Sequence, residues 1–354
     1  MKGLILTAGN GTRLRPLSYT KPKPLLPVSN RPVISYGIEQ LAEMGIKDIG
    51  LVIQPHQEDT FHEHLYAYAV KKKMRLHYIP QYEQKGIAHA VAQAEDFLGS
   101  DSFVLLLGDN LIDDSLQKLK ESFEQTSAHG TVLVTEVSKP QDYGIADIKD
   151  DKLIEVEEKP EKPKSNLAVI GAYIFKSSIF NAIHSISPSA RGEYEITDAI
   201  QWMIDHHYHI NYVKTAKPTF DVGTIDRWLK ANQWMLKRFG NSTDADFLDE
   251  NSHNAVIIPP VVIGDNCTIE DSVIGPYVSI QSDVIIKKSI VKNSIILKGC
   301  HIENMPYEIS DSILGEKTKL SGNYVNDNTI QAVFGDESTF FLSCKDKSKD
   351  KGAD

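Results

Sequence analysis

Residues Val261–Ile290 read VVIGDNCTIEDSVIGPYVSIQSDVIIKKSI. Apolar residues recur here every six positions: Ile263 and Ile269, then Ile274, Ile280 and Ile286 after a one-residue slip. A second inward set is expected four residues after each, at Cys267, Val273, Val278, Val284 and Ile290. Looser turns follow at Ile296 with Cys300 and Ile302, and at Leu314 with Thr318 and Leu320. Gly264, Gly275 and Gly315 each follow an apolar residue directly, where a tight corner needs a small one. A hexapeptide period of this kind describes short flat strands that turn sharply and stack coil upon coil.

Upstream the pattern is different. Short apolar runs, Leu4 to Thr7, Ile49 to Ile53, Leu76 to Ile79, Phe103 to Leu107 and Thr131 to Thr135, read as strands, and they alternate with helical spacing at Ile34 to Met44 and Ala88 to Phe97. Alternation of this kind predicts an α/β fold, a doubly wound and mostly parallel sheet whose site lies at the carboxyl ends of its strands. The expected organisation is a catalytic domain over 1–240, a polar linker over 241–254, a stacked-coil domain over 255–337 resembling the left-handed parallel β-helix of hexapeptide-repeat proteins, and a flexible tail over 338–354.

The formal charge is −10 at pH 7, which excludes the broad basic footprint of a nucleic-acid binder. Any phosphate site must then be a local cluster of cations and backbone N–H groups. Three scattered cysteines, Cys267, Cys300 and Cys344, fit neither a disulfide framework nor a zinc site. The first residues show no secretory pattern, and no apolar run approaches the ~20 residues of a membrane span. A cytoplasmic protein without membrane or nucleic-acid partners is expected. The histidines at 62, 64, 206, 207 and 209 lack metal-ligand spacing.

The first strand runs into Leu6-Thr7-Ala8-Gly9-Asn10-Gly11-Thr12-Arg13-Leu14. Closely spaced glycines let backbone N–H groups approach phosphate oxygens. The loop is neither a Walker A motif nor a dinucleotide fingerprint, because no Gly-Lys-Ser/Thr follows and Leu14 fills the third glycine position. Charge follows at once, with Arg13, Arg15, Lys21 and Lys23, the last two held in a proline-stiffened run to Pro27.

Gly9–Leu14 with Lys23-Pro24-Leu25-Leu26-Pro27-Val28 resembles the signature of sugar-1-phosphate nucleotidylyltransferases. Further blocks fall in the family's order: Gln81–Ala90, Leu107-Gly108-Asp109-Asn110, Glu157-Glu158-Lys159-Pro160 and Phe220-Asp221-Val222-Gly223-Thr224. Ser189–Asp198 is similar to the glucose-1-phosphate thymidylyltransferase branch, and with the coil domain the whole chain resembles its long form. The resemblance implies catalytic roles for Arg13, Lys23 and Lys159. It implies nucleotide contacts from Leu6, Ala8, Gly9, Gly11, Thr12, Arg13, Gln81, Gly86 and Asp109. The sugar phosphate would meet Asn110, Tyr143, Gly144, Glu158, Lys159, Asn166, Ile170 and Tyr173, with Ile170 standing where the family often has Thr. Asp109 and Asp221 would hold Mg²⁺. The implied substrates are dTTP or UTP and a hexose 1-phosphate. The flat faces and ends of the coil domain are natural self-association surfaces, so a homo-oligomer is expected. All these blocks precede Gly240, so a chain ending there is expected to keep residual activity. Two other classes compete. A coil-domain acyltransferase, or a bifunctional enzyme, would need a histidine base, and His301 is the one histidine within the clearest coils. A non-catalytic regulatory subunit would have lost Arg13, Lys23 or Asp109, and all three are present.

Overall fold

In a computed structural model, residues 1–239, 253–322, 329–330 and 333–342 are described. They form two compact units: residues 1–10 with 33–220, and residues 11–32 with the described residues from 221 onward. Residues 240–252, which hold most of the expected linker, lie outside the described residues, as do 343–354.

The first unit is built on a nine-stranded mixed sheet. Lys2–Leu6 runs parallel to Asp48–Ile53 on one side and to Phe103–Leu107 on the other, and Arg75–Pro80 extends the parallel half at its edge. The three central strands are buried on both faces, which is why their sequences are nearly continuous apolar runs, whereas the edge strand Arg75–Pro80 is only partly buried and its apolar residues are interrupted. Beyond Phe103–Leu107 the sheet changes direction. Leu167–Phe175 pairs antiparallel with it and carries Gly130–Glu136 and the hairpin Gly144–Lys149/Lys152–Glu158. Ile210–Lys214 pairs parallel with Gly130–Glu136. The expected helix over Ala88 to Phe97 is two pieces, Ile87–Ala92 and Glu95–Leu98, and Ile196–Asp205 packs Ile196, Ala199, Ile200 and Met203 into the same core.

In the second unit the coils stack as three five-stranded parallel sheets, the three-sided arrangement expected of the hexapeptide period. Val261–Ile263, Val278–Ile280 and Ile295–Ile296 follow one another on one side, and Thr268–Glu270, Ile285–Lys287 and His301–Glu303 on the next. Ile263, Ile280, Ile296 and Leu314 fill one inner column, and Ile269, Ile286, Ile302 and Leu320 another. Asn266, Asp283, Asn293 and Asp311 take positive φ, the conformation that Asn and Asp tolerate best among residues with a side chain. The paired amides and carboxylates bond from coil to coil, Asn266 to Asp283 and Asn293 to Asp311.

Two assignments of the period change. Val273 is half-buried and Ile290 is 41 % exposed, so neither is inward. The serines before them, Ser272 and Ser289, take the buried corner positions, because a hydroxyl there satisfies the turning backbone. Ser289 N donates to Ser272 Oγ at 3.1 Å, and Ser272 Oγ donates to Glu270 O at 2.6 Å. The coils also run past residue 337, as Thr339–Leu342 pairs in parallel with Lys319–Gly322 and the Phe340 ring packs on Phe334. Cys267 and Cys300 are buried free thiols, and burial pushes Cys300 up to about 12, a packing role without nucleophilic character. Among the described residues no helix is long and apolar enough to cross a membrane.

Ile302→Ala opens a cavity in a fully buried column and should cost about 2–5 kcal/mol. Ile290→Thr, on the outside of the same coils, should stay within about 0.5 kcal/mol. Chemical denaturation of the two variants distinguishes this register from the one in which Ile290 points inward.

Candidate functional site

The first strand ends where its backbone is pinned. Thr7 N and Thr7 Oγ1 both donate to Val52 O, at 2.8 and 2.6 Å. Gly108 N donates to Leu6 O at 2.9 Å, and a Cβ at Gly108 would lie 2.8 Å from Thr7 Cγ2. Only glycine lets the turn carrying Asp109 pass this close to Ile5, Leu6 and Thr7. At Gly9 a Cβ would meet no protein atom within 4 Å, so packing does not require its bareness. Gln54, a residue the sequence motifs do not mark, ties the loop with Nε2 donating to Ala8 O at 2.9 Å and to Asn10 Oδ1 at 3.0 Å.

Gln81 and Gly86 flank a second corner of the first unit. Gln81 is 3 % exposed, and its Nε2 lies 3.0 Å from His89 Nδ1. Burial, and then the Lys85 charge, lower the His89 pKa, so the neutral ring that accepts from this amide is favoured. Gly86 has φ +102, and a Cβ there would sit 2.5 Å from Tyr194 O. Tyr194 N donates to Lys85 O and Ala88 N to Tyr194 O, so the Ser189–Asp198 block is stitched to the Gln81–Ala90 block by backbone.

A third corner gathers Tyr143, Gly144, Glu158 and Lys159. Gly144 and Glu158 are register partners in a hairpin, and Lys159 N donates to Tyr143 O at 3.0 Å. A Cβ at Gly144 would meet Thr197 Cγ2 at 2.5 Å and Glu158 Oε2 at 3.1 Å. Thr197 Oγ1 donates to Glu158 Oε2 at 3.1 Å. Lys159 adopts φ +44, a rare conformation for a residue with a Cβ, and places its ammonium 3.9 Å from Glu158 Oε1. Arg191 Nη2 lies 3.8 Å from the same oxygen and donates at 2.8 Å to the buried Glu195. Burial raises the Glu158 pKa, and the Glu195 charge raises it further, against the Thr197 hydrogen bond and the two cations. Glu158, Lys159, Arg191 and Glu195 line a cleft of about 700 Å³. Arg191, Glu195 and Thr197 lie inside a resemblance block to which the sequence alone attaches no roles.

The other residues expected at the sugar are spread more widely. Asn110 follows the Asp109 turn, and Gly171 must be bare because a Cβ there would come within 2.3 Å of Asn110 Nδ2. Ile170 and Tyr173 are 5 % and 3 % exposed, members of the core strand Leu167–Phe175. Tyr173 stacks on Phe175, and burial, with Glu158 next, raises its phenol pKa. Asn166 is exposed just before that strand, and its carbonyl accepts from Val137 N at 2.9 Å.

Arg13, Lys23 and Asp221 belong to the second unit. Gly11 has φ +59 and starts a single 3₁₀ turn, Thr12–Leu14, which buries Leu14 and leaves Thr12 and Arg13 exposed. Lys23 opens a similar turn, Lys23–Leu25. The Arg15 guanidinium lies over the Tyr19 ring at 4.9 Å. A Cβ at Gly223 would sit 2.4 Å from Asp221 Oδ1 and 3.2 Å from Arg13 Nη2, so that glycine lets the carboxylate and the guanidinium share one corner. Asp221 Oδ2 accepts from Arg227 Nη1, whereas Asp221 Oδ1 is buried with no hydrogen-bond partner among the described residues. A buried carboxylate oxygen with unfilled lone pairs suits a hard cation. Among the described residues no three His, Cys, Asp or Glu side chains cluster as a metal cage.

The chain is similar to known proteins along its whole length. The family profile described as nucleotidyl transferase matches residues 2–238. A glucose-1-phosphate thymidylyltransferase of Streptomyces griseus is 33 % identical over 97 % of this chain and 100 % of its own. A UTP–glucose-1-phosphate uridylyltransferase of Haloferax volcanii, AglF, is 35 % identical over 69 % of this chain and 100 % of its own. A solved structure from Bacillus anthracis, assigned as a glucose-1-phosphate thymidylyltransferase and bound to sucrose, superposes with a TM-score of 0.62 at 35 % identity, covering 66 % of this chain and 94 % of that one.

The raised pKa of Glu158 has a sign that stability measurements read. Below the ordinary carboxyl value of 4.5 the group is protonated whether the chain is folded or not, and its burial costs nothing in ionisation. As pH rises the unfolded state ionises first, so the folded state loses stability until its own raised pKa is passed. Glu158→Gln keeps an acceptor for Thr197 without the charge. It should raise Tm at pH 8 and leave it nearly unchanged at pH 4, whereas an equal gain at both would place the effect elsewhere.

Proposed function

The chain belongs to the nucleotidyl transferase family, an enzyme family, and from that premise we propose that it transfers a thymidylyl or uridylyl group from dTTP or UTP to glucose 1-phosphate or a related hexose 1-phosphate. The observation that carries this reading is the Glu158–Lys159 corner. There an acceptor for sugar hydroxyls and a cation for a phosphate stand side by side, beneath a glycine at 144 that keeps the floor bare. The similarity to glucose-1-phosphate thymidylyl- and uridylyltransferases supports both nucleotides.

In this reaction an oxygen of the sugar phosphate attacks the α-phosphorus, the bond from that phosphorus to the bridging oxygen breaks, and pyrophosphate leaves with the electron pair. A phosphate monoester loses its second proton near about pH 6, so the nucleophile is anionic without a general base. The chain's work is then positioning and charge neutralisation. Arg13 would grip the triphosphate, where a planar guanidinium holds two oxygens at once, with Lys23 beside it. The backbone of Leu6, Ala8, Gly9, Gly11 and Thr12 would approach the nucleotide. Gln81 would read the O4 and N3–H edge that thymine and uracil share, with Gly86 adding a backbone contact. Lys159 would neutralise the sugar phosphate, Glu158 and Gly144 would meet the ring hydroxyls, and Asn110, Tyr143, Asn166, Ile170 and Tyr173 would shape the pocket. Asp109 and the orphaned oxygen of Asp221 would hold Mg²⁺, which when bound stabilises charge on the transferring phosphate. As a biosynthetic enzyme of this kind it would work in the cytoplasm, as a homo-oligomer.

Pyrophosphate release across a matrix of dTTP, UTP, ATP, CTP and GTP with several sugar 1-phosphates fixes both substrates. Turnover confined to purine triphosphates would remove the role of Gln81. EDTA should abolish turnover. Asp109→Asn and Asp221→Asn should each lower kcat strongly in a folded protein, with a combined effect less than additive because either change empties the same site. Two near-silent variants, or full activity in EDTA, would leave these carboxylates as turn residues. Lys159→Ala should raise KM for the sugar phosphate tenfold or more, from the ~1.5–3 kcal/mol of a charge-assisted hydrogen bond, with little change in the triphosphate KM.

A further inference from the structure

Residues 11–32 have little regular structure of their own. They contain three single 3₁₀ turns, Thr12–Leu14, Leu17–Tyr19 and Lys23–Leu25, and a hairpin of two-residue strands, Pro27–Val28 and Arg31–Pro32. At the hairpin tip both Ser29 and Asn30 have positive φ, 49° and 61°, a two-residue turn that favours Asn-Gly. Neither residue here is glycine, so the tip is held from outside. Ser29 N donates to Asn232 Oδ1 at 2.8 Å, and Asn30 Nδ2 donates to Ile280 O on a coil of the β-helix at 2.5 Å. The same Asn232 oxygen accepts from Ser279 Oγ at 2.8 Å, and Asn232 is 1 % exposed. A buried side chain on the helix Ile225–Phe239 thus joins the loop to the coils.

The middle of the loop is tied further along the β-helix. Lys21 Nζ pairs with Glu316, its side chain 18 % exposed and the carboxylate 28 %. Thr20 Oγ1 donates to Asp336 Oδ2. Asp336 Oδ1 in turn accepts from Glu316 N at 2.6 Å, so the two acids are one braced corner of successive coils. Between these two anchorages lie Pro22 and Lys23, and eight residues before Lys21 lies Arg13.

We propose that Glu316 and Asp336 of the β-helix are positioning residues for the phosphate-binding loop, holding Thr20 and Lys21 so that Arg13 and Lys23 are set for the triphosphate. The inference rests on the reading of Arg13 and Lys23 given above and adds to it a role for the coils in catalysis. A chain ending near Gly240 would lack Ile280, Glu316 and Asp336 together, so its residual activity should be low.

The test is steady-state kinetics of the full-length protein with Glu316→Gln and Asp336→Asn combined. A loosened loop should lower kcat by about tenfold to a hundredfold and raise the triphosphate KM, while the sugar-phosphate KM stays close to wild type. A second variant exchanges the pair, Lys21→Glu with Glu316→Lys, and should recover most of the rate lost in Glu316→Lys alone. Wild-type kcat and triphosphate KM in the folded double variant would overturn the proposal. A loss shared equally by both substrates, following a fall in Tm and unrescued by the exchange, would overturn it as well. Arg13→Ala is the parallel control. If it turns over at the wild-type rate the reading of the loop itself fails, whereas a crippled Arg13→Ala beside an unaffected double variant removes only the role of the β-helix.

Discussion

The proposed reaction brings two anions together on a protein whose own charge is −10. Cations must therefore be concentrated on a few residues and kept from collapsing onto the acidic groups around them. Arg13, Lys21 and Lys23 sit on a segment with no long helix and no strand of the large sheet, so that segment depends on contacts outside itself. Its tip rests on Asn232 and the Ile280 carbonyl, its middle on Glu316 and Asp336, and Trp228 Nε1 donates to Pro27 O at 2.6 Å within the same unit. Lys21 is spent on an ion pair with the β-helix, which explains a cation close to the proposed chemistry to which the mechanism gives no substrate contact.

The corner around Glu158 handles the opposite sign. Two carboxylates, Glu158 and Glu195, are packed close enough for one to raise the pKa of the other, and Arg191 stands between them with bonds mostly to Glu195. Among the described residues Glu158 keeps Thr197 as its short partner, with Lys159 and Arg191 both beyond hydrogen-bond distance. A carboxylate left with spare acceptor capacity in a desolvated corner is costly for stability and useful for recognising hydroxyls. Asp221 follows the same logic, one oxygen held by Arg227 and the other orphaned. In both places the protein forgoes a satisfied polar group where the proposed chemistry needs a ligand.

Much of this was legible from local pattern. The central parallel strands lie within a residue or two of the apolar runs, because strands buried on both faces leave a nearly uninterrupted apolar signature. The hexapeptide period located the coils, and it missed Ser272 and Ser289 because a buried serine at a corner looks polar to a periodicity argument. Glu158, Lys159, Tyr143 and Gly144 are neighbours in one corner, whereas Tyr173 and Ile170 lie in the core, where alternation along Leu167–Phe175 is lost. What the sequence did not reveal are contacts between distant positions. Lys21 and Glu316 are 295 residues apart, and Ser29 and Asn232 are 203 apart. No spacing rule connects them, and the pattern break near residue 240 hid the fact that residues 11–32 pack with the coils.

The proposed reaction is one covalent event, displacement at the α-phosphorus by a sugar phosphate. The most direct measurement follows the label from α-³²P-dTTP or α-³²P-UTP incubated with unlabelled glucose 1-phosphate and Mg²⁺. All transferred label should appear in the nucleotide phosphate of an NDP-sugar, with unlabelled pyrophosphate formed in equal amount. Label released without a sugar nucleotide, or pyrophosphate formed at the same rate when glucose 1-phosphate and every other hexose 1-phosphate are omitted, would contradict it.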